Sequence, residues 1–160
     1  MSDAELIQKL ETEQIQTSEA DSRQASSSTF TFYTLPNNNA NSASIPIPTT
    51  TQPIAIANAT VNTGSRVILR GTVGWEAQTL GIRGVEVLFR IWRGAPITGT
   101  LINSALDSGD VDREIPTLFT HVDTGFTGPQ SITYVLTAEL TDPVTSARII
   151  GPLTFTASVY

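Results

Sequence analysis

A side-chain period of two, interrupted at short intervals by turn residues, runs from Gln52 to Tyr160. The cleanest stretch is 131–140, where Ile132, Tyr134, Leu136, Ala138 and Leu140 alternate with Thr133, Val135, Thr137 and Glu139. Successive side chains of a strand point to opposite faces, so this pattern makes one apolar face and one more polar face. Similar strand patterns recur over 54–61, 66–75, 85–93, 101–106, 117–122, 148–150 and 153–160. Between them stand turn formers: GAPITG at 94–99, DSGD at 107–110, GFTGPQ at 125–130 and DP at 142–143. Short strands with turn signals every ~8–12 residues mark a β-sandwich. No part of this region has a helical period. The chain is therefore read as all-β: a single antiparallel β-sandwich over 54–160, with jelly-roll connectivity expected first and an Ig-like arrangement second.

Before the sandwich the composition changes. Residues 1–24 form an acidic segment with six acids (Asp3, Glu5, Glu11, Glu13, Glu19, Asp21) against Lys9 and Arg23, a formal −4 of the chain's −6. Ser2 and Glu5 have capping-box spacing, and Leu6, Leu10 and either Ile7 or Ile15 share a narrow apolar stripe, which predicts a short polar helix. Isolated helices of this length are marginal in water. Residues 25–53 read as an extended arm: a β-prone island, STFTFYTL at 28–35, followed by a Pro/Asn/Thr linker. Pro46, Pro48 and Pro53 forbid a central strand there.

Charge and cysteine content exclude several classes of function. An acidic chain of pI about 4.6 without a basic cluster lacks the cationic footprint that nucleic acid or an anionic membrane needs. The absence of cysteine removes disulfides, thiolate metal sites and thiol nucleophiles. No stretch is long and apolar enough for a membrane-spanning helix, so no membrane insertion is expected. The first residues lack the basic start and apolar run of a signal peptide.

The strand region resembles a small family of exosporium proteins from the outer spore coats of bacilli, the exosporium protein C-like β-sandwiches. The resemblance is carried by LRGTVGW at 69–75, VLFRIWR at 87–93, YVLTAE at 134–139 and ARIIGPLTF at 147–155. It spans roughly Gln52 to Tyr160 and implies a structural role at a spore surface, in an exosporium or an appendage, made without a signal peptide. A virion or cytoplasmic location is the alternative. The resemblance brings no catalytic, cofactor or ligand residues with it.

Few side chains suggest chemistry. Asp107, Asp110 and Asp112 lie close together and could gather oxygen ligands around calcium. Their spacing is not that of an EF-hand, and polar turns of Asp, Ser and Gly are common between strands. His121, the only histidine, sits within a strand pattern and no nucleophile motif accompanies it, so no enzyme activity and no cofactor are expected. Of the two tryptophans, Trp75 is read as core and Trp92 as a partly exposed interface residue.

The 28–35 island is too apolar and β-prone to be left in water, yet a long linker separates it from the sandwich. That placement predicts an assembly interface of Phe30, Phe32, Tyr33, Leu35 and Trp92, with the island donated as a strand to a neighbouring copy. Burying both phenylalanines would contribute on the order of 3–6 kcal/mol before ordering costs. Head-to-tail repetition of such a contact builds a fibre, with other copies of the chain, and other spore-surface proteins, as the partners. The alternatives are a discrete surface-tethered sugar- or protein-binding sandwich and a phage structural subunit.

Overall fold

A computed structural model describes residues 29–36, 38–78, 84–110 and 113–160. The acidic segment 1–24, with its expected helix, lies outside the described residues, as does Asp112. Nine strands follow in order: β1 (Phe30–Thr34), β2 (Ile45–Ile47), β3 (Gln52–Val61), β4 (Val67–Ala77), β5 (Val85–Arg93), β6 (Thr100–Gly109), β7 (Glu114–Asp123), β8 (Gln130–Leu140) and β9 (Ala147–Val159). Every strand pair is antiparallel.

The pairings β2·β9, β3·β8, β4·β7 and β5·β6 nest inside one another. The chain thus runs out along β2–β5 and back along β6–β9 as one long antiparallel hairpin. Rolled up, this hairpin splits into two sheets, β2-β9-β4-β7 and β3-β8-β5-β6, which is jelly-roll connectivity. The expected jelly roll is the observed fold, and the Ig-like order is not. β1 joins the first sheet as an extra strand along the remaining edge of β9, opposite Thr154–Ser158, while β2 covers Ala147–Ile149.

The period of two explains the core. Inward positions of β8 (Ile132, Tyr134, Leu136, Ala138, Leu140) meet inward positions of β4 and β9 (Leu69, Val73, Trp75, Leu153, Phe155), all buried. Trp75, Phe89 and Phe119 bring ring faces and edges together across the two sheets, with centroids 6.5 Å and 5.3 Å apart. A bulge between Val73 and Trp75 lets β4 pass β9 where Gly151-Pro152 interrupts its alternation. Glycine is required on both sides: a Cβ on Gly74 would lie 2.0 Å from the Gly151 carbonyl oxygen, and one on Gly151 2.6 Å from that of Asn39.

Three expectations need correction. The described part of the 25–53 region is not a free arm and linker, because both β1 and β2 are bonded to β9 of the same chain and Ala43 N donates to Ile150 O at 3.0 Å. The 28–35 island is therefore not donated to a neighbour. Its backbone groups are taken by the nearest open edge, that of its own β9. Pro46 is tolerated because β2 lies at the sheet edge. Lastly, the Asp-Ser-Gly stretch 107–109 is not a turn: it continues β6, opposite Val85–Val87 of β5.

Candidate functional site: the outer face of the first sheet

The outer face of the first sheet is laid out by its register. Three rows cross from β1 to β7: Phe30–Ser158–Ile68–Val122, Phe32–Thr156–Arg70–Thr120 and Thr34–Thr154–Thr72–Leu118. Hydroxyl side chains together with Ile68 and Arg70 fill the middle, and large apolar side chains stand at both margins. Phe30 is 59% and Phe32 63% exposed, and their rings stack at 5.7 Å between centroids. On the far margin Leu118 is 73% and Val122 49% exposed. Arg70 is the one charge in these rows, and its guanidinium has no hydrogen bond or ion pair with any described residue. The face ends in a polar border, where Arg148 Nε meets Glu76 Oε2 at 2.7 Å and Asn41 Nδ2 donates to Glu114 Oε1 at 2.6 Å.

The other residues expected at an interface are used within the chain. Tyr33 and Leu35 point inward from β1 and pack against the core. Beside Tyr33, β3 leaves a shallow apolar groove of about 250 Å³ lined by Pro53, Ile54, Ala55 and Ile56. Trp92 is only 8% exposed, although it lies on the outer face of the second sheet. Its Nε1 donates to Thr137 Oγ1 at 3.0 Å, and Val135 sits directly opposite it in register. This explains why Val135 and Thr137 are buried at positions where the alternation predicts exposure. Near them Arg90 and Glu139 pair at 2.7 Å, and Thr51 Oγ1 donates to the same carboxylate.

Two polar clusters link the sheets. Asp123, on β7, accepts from Arg93 Nε at 2.9 Å, from Arg93 Nη2, and from the Tyr134 hydroxyl at 2.7 Å. Arg93 also lies over the Phe126 ring, 5.1 Å from its centroid. Burial, together with the bond to Asp123, pushes the Tyr134 hydroxyl well above the ordinary phenol range. The Asp123 hydrogen bond raises Arg93 despite its partial burial, so the cation persists. In the second cluster, Trp75 Nε1 donates to Thr117 Oγ1 at 2.9 Å, and Thr117 in turn donates to Asp107. These clusters were missed in the sequence. The alternation places Tyr134 inward, which signals that its hydroxyl needs a partner, but it does not name Asp123.

Of the three carboxylates weighed for calcium, Asp107 and Asp110 are described and Asp112 is not. Asp107 points between the sheets and accepts from Thr117 and the Ser108 amide, whereas Asp110 is exposed. Among the described residues no group of three His, Cys, Asp or Glu converges. His121 faces Leu69 across β4 and β7, half-buried at the sheet edge. No buried side-chain nitrogen or oxygen among the described residues lacks a partner.

The strand order and this face define the chain's class: a jelly-roll β-sandwich with an exposed, nearly uncharged sheet face. No protein-family model matches the chain, and no curated protein resembles it in sequence. Among solved structures it is similar to a chain in "Structure of infectious bursal disease virus Gt strain", with TM-score 0.48 and 11% identity over 83% of this chain and 32% of that one. A chain of the Gx strain of the same virus gives TM-score 0.46 and 10% identity over 82% of this chain and 32% of that one. A xylan-binding domain from Paenibacillus barcinonensis gives TM-score 0.31 and 11% identity over 79% of this chain and 85% of that domain. The chain spans about a third of the length of these viral chains. The jelly-roll assignment rests on the strand order itself.

Proposed function

We propose that this chain is a non-catalytic structural subunit of a spore-surface assembly, an exosporium-type layer or appendage, whose copies associate through the outer face of the first sheet. The observation that carries this reading is the exposed Phe30–Phe32 pair, stacked on a face with a single charge. On the second sheet Arg90 pairs with Glu139 and the exposed large side chains, Ile56, Leu101 and Leu106, are aliphatic, while every buried polar side-chain atom among the described residues has a partner. A large aromatic pair left in water marks a contact surface rather than a stability device. The spore location rests on the resemblance carried by residues 69–75, 87–93, 134–139 and 147–155.

The face is small. Four strands ~4.8 Å apart and about five residues long, at ~3.3 Å each, cover roughly 300 Å². A stable pairwise interface takes about 800 Å² per partner. Single contacts through this face are therefore weak, and persistence comes from repetition in an assembly. The two tryptophans, which could have stacked on a sugar if exposed, are both buried.

Sedimentation velocity over a concentration series, with negative-stain imaging of the most concentrated sample, tests the reading. Concentration-dependent species that disappear in the Phe30→Ser/Phe32→Ser variant are expected, with near-UV circular dichroism unchanged. A full-length chain that stays monomeric throughout would refute the self-association. Absence of the protein from purified spore surfaces by immunogold labelling would refute the location.

A further inference from the structure

We infer that copies first meet edge to edge: the open side of β1 pairs antiparallel with β1 of a second copy, across a two-fold axis at Phe32. β1 stays in its own sheet. Thr29 O accepts from Val159 N at 2.9 Å, and Leu35 N donates to Leu153 O at 3.3 Å. Bonded and non-bonded pairs alternate along an antiparallel ladder, so Thr31 and Tyr33 also face β9. The amides and carbonyls of Phe30, Phe32 and Thr34 therefore point away from β9, and none has a partner among the described residues. Such a row templates another strand unless something blunts it. The other edges are blunted. β2 carries Pro46, β7 carries Pro116, β3 carries Pro53 with a bulge beside it, and β6 turns Asp107 inward. β1 has no proline, charge or bulge.

The partner that fits this edge is the same edge. With Phe32 opposite Phe32 of the second copy, Phe30 falls opposite Thr34, and the outward residues exchange up to about six backbone hydrogen bonds. Their side chains all stand on the outer face, so the two Phe30–Phe32 stacks meet in one aromatic row. Arg70 lies two strands in from the edge, which keeps it roughly 24 Å from its counterpart, well beyond the ~8 Å screening length. β1 and β3 border the same side of the sandwich, where Thr31 Oγ1 donates to Asn58 O. The apolar groove between Tyr33 and residues 53–56 opens there, and the second copy covers it. Pairing also joins two faces of ~300 Å² into one of ~600 Å², nearer the ~800 Å² that a stable contact takes. This deepens the self-association proposed above, on which it rests, by naming its first contact.

Residue-resolved amide hydrogen exchange on the full-length protein, in dilute and concentrated samples whose association is followed by sedimentation, tests the pairing. In dilute solution Phe32 and Thr34 are expected to exchange freely, while Thr31 and Tyr33, bonded to β9, are protected. With about nine-tenths of the chains paired, exchange at Phe32 and Thr34 should slow roughly tenfold, since the edge is then open in about one chain in ten. Thr34→Pro removes an outward N–H that the fold does not use and keeps both rings. It should abolish the dimer and the slowing at Phe32, with protection along β9 unchanged. A second measurement leaves β1 untouched. Because the chain has no cysteine, a nitroxide can be attached at Thr120→Cys on β7, and paired edges set the two attachment points seven strand spacings, about 34 Å, apart. Copies stacked face to face would bring them within about 20 Å. Association with free exchange at Phe32 and Thr34, with the short distance, or undiminished in a folded Thr34→Pro variant would overturn the edge pairing and leave self-association standing. A chain that stays monomeric would overturn both.

Discussion

The two outer faces of this sandwich obey the same alternation but reach opposite ends. On the second sheet, Trp92 lies against its own strands, bonded to Thr137, and Arg90 is neutralised by Glu139. On the first sheet, Phe30 and Phe32 stack only on each other and Arg70 has no counter-ion among the described residues. Both faces expose large aliphatic side chains, Ile56, Leu101 and Leu106 on the second and Leu118 and Val122 on the first, but only the first carries an exposed aromatic pair. The difference shows that an outward aromatic is buried on its own sheet when a polar neighbour engages it, as Thr137 does Trp92.

Substitutions should separate the faces sharply. Trp92→Ala is expected to cost about 3–5 kcal/mol in chemical denaturation, since it removes a buried ring and the hydrogen bond it donates to Thr137. It should leave the sedimentation profile of the surviving folded protein unchanged. Between the sheets, Asp123→Ala leaves Arg93 and Tyr134 without their shared acceptor. A broken buried pair costs about 3–5 kcal/mol, and the lower end applies here because Arg93 keeps a third of its side chain in water. A loss under about 1 kcal/mol would show that the cluster is as weak as a surface pair.

Tyr134→Phe is expected to cost about 1 kcal/mol at neutral pH, the worth of its bond to Asp123. It also carries a pH signature. The folded state holds the Tyr134 proton more tightly than the unfolded chain, whose phenol ionises near 10. The resulting stabilisation is complete below about pH 10 and is lost as the pH rises from there toward the raised folded value. Denaturant midpoints should fall less steeply above pH 10 in Tyr134→Phe than in the parent. The smallest effect on stability belongs to Phe30→Ser/Phe32→Ser, within about 0.5 kcal/mol as for exposed sites. If this variant unfolded as readily as Trp92→Ala, the contrast between the faces would collapse.

Much of the sandwich was legible because burial on one face of a strand imposes a period of two, and the inward positions of β8 carry it without a break. The Asp-Ser-Gly stretch 107–109 misled, since turn propensity is a local preference that pairing with Val85–Val87 overrode. Trp92 misled for a related reason: its outward register is visible in the sequence, but its bond to Thr137 on a neighbouring strand is not. The Arg93–Asp123–Tyr134 cluster joins three strands from two sheets, so no spacing in the chain announces it.

By itself, then, the sequence determined that residues beyond Gln52 make strands, which of their side chains turn inward, and that the N-terminal segment is acidic. Only the tertiary structure decided where β1 pairs. A β-prone segment specifies that its backbone groups need partners but not which edge supplies them, and the vacant side of β9 in the same chain was the one at hand. That placement turned Phe30 and Phe32 outward onto a face with Arg70, because face membership follows from register, and register is a relation between strands far apart in the chain.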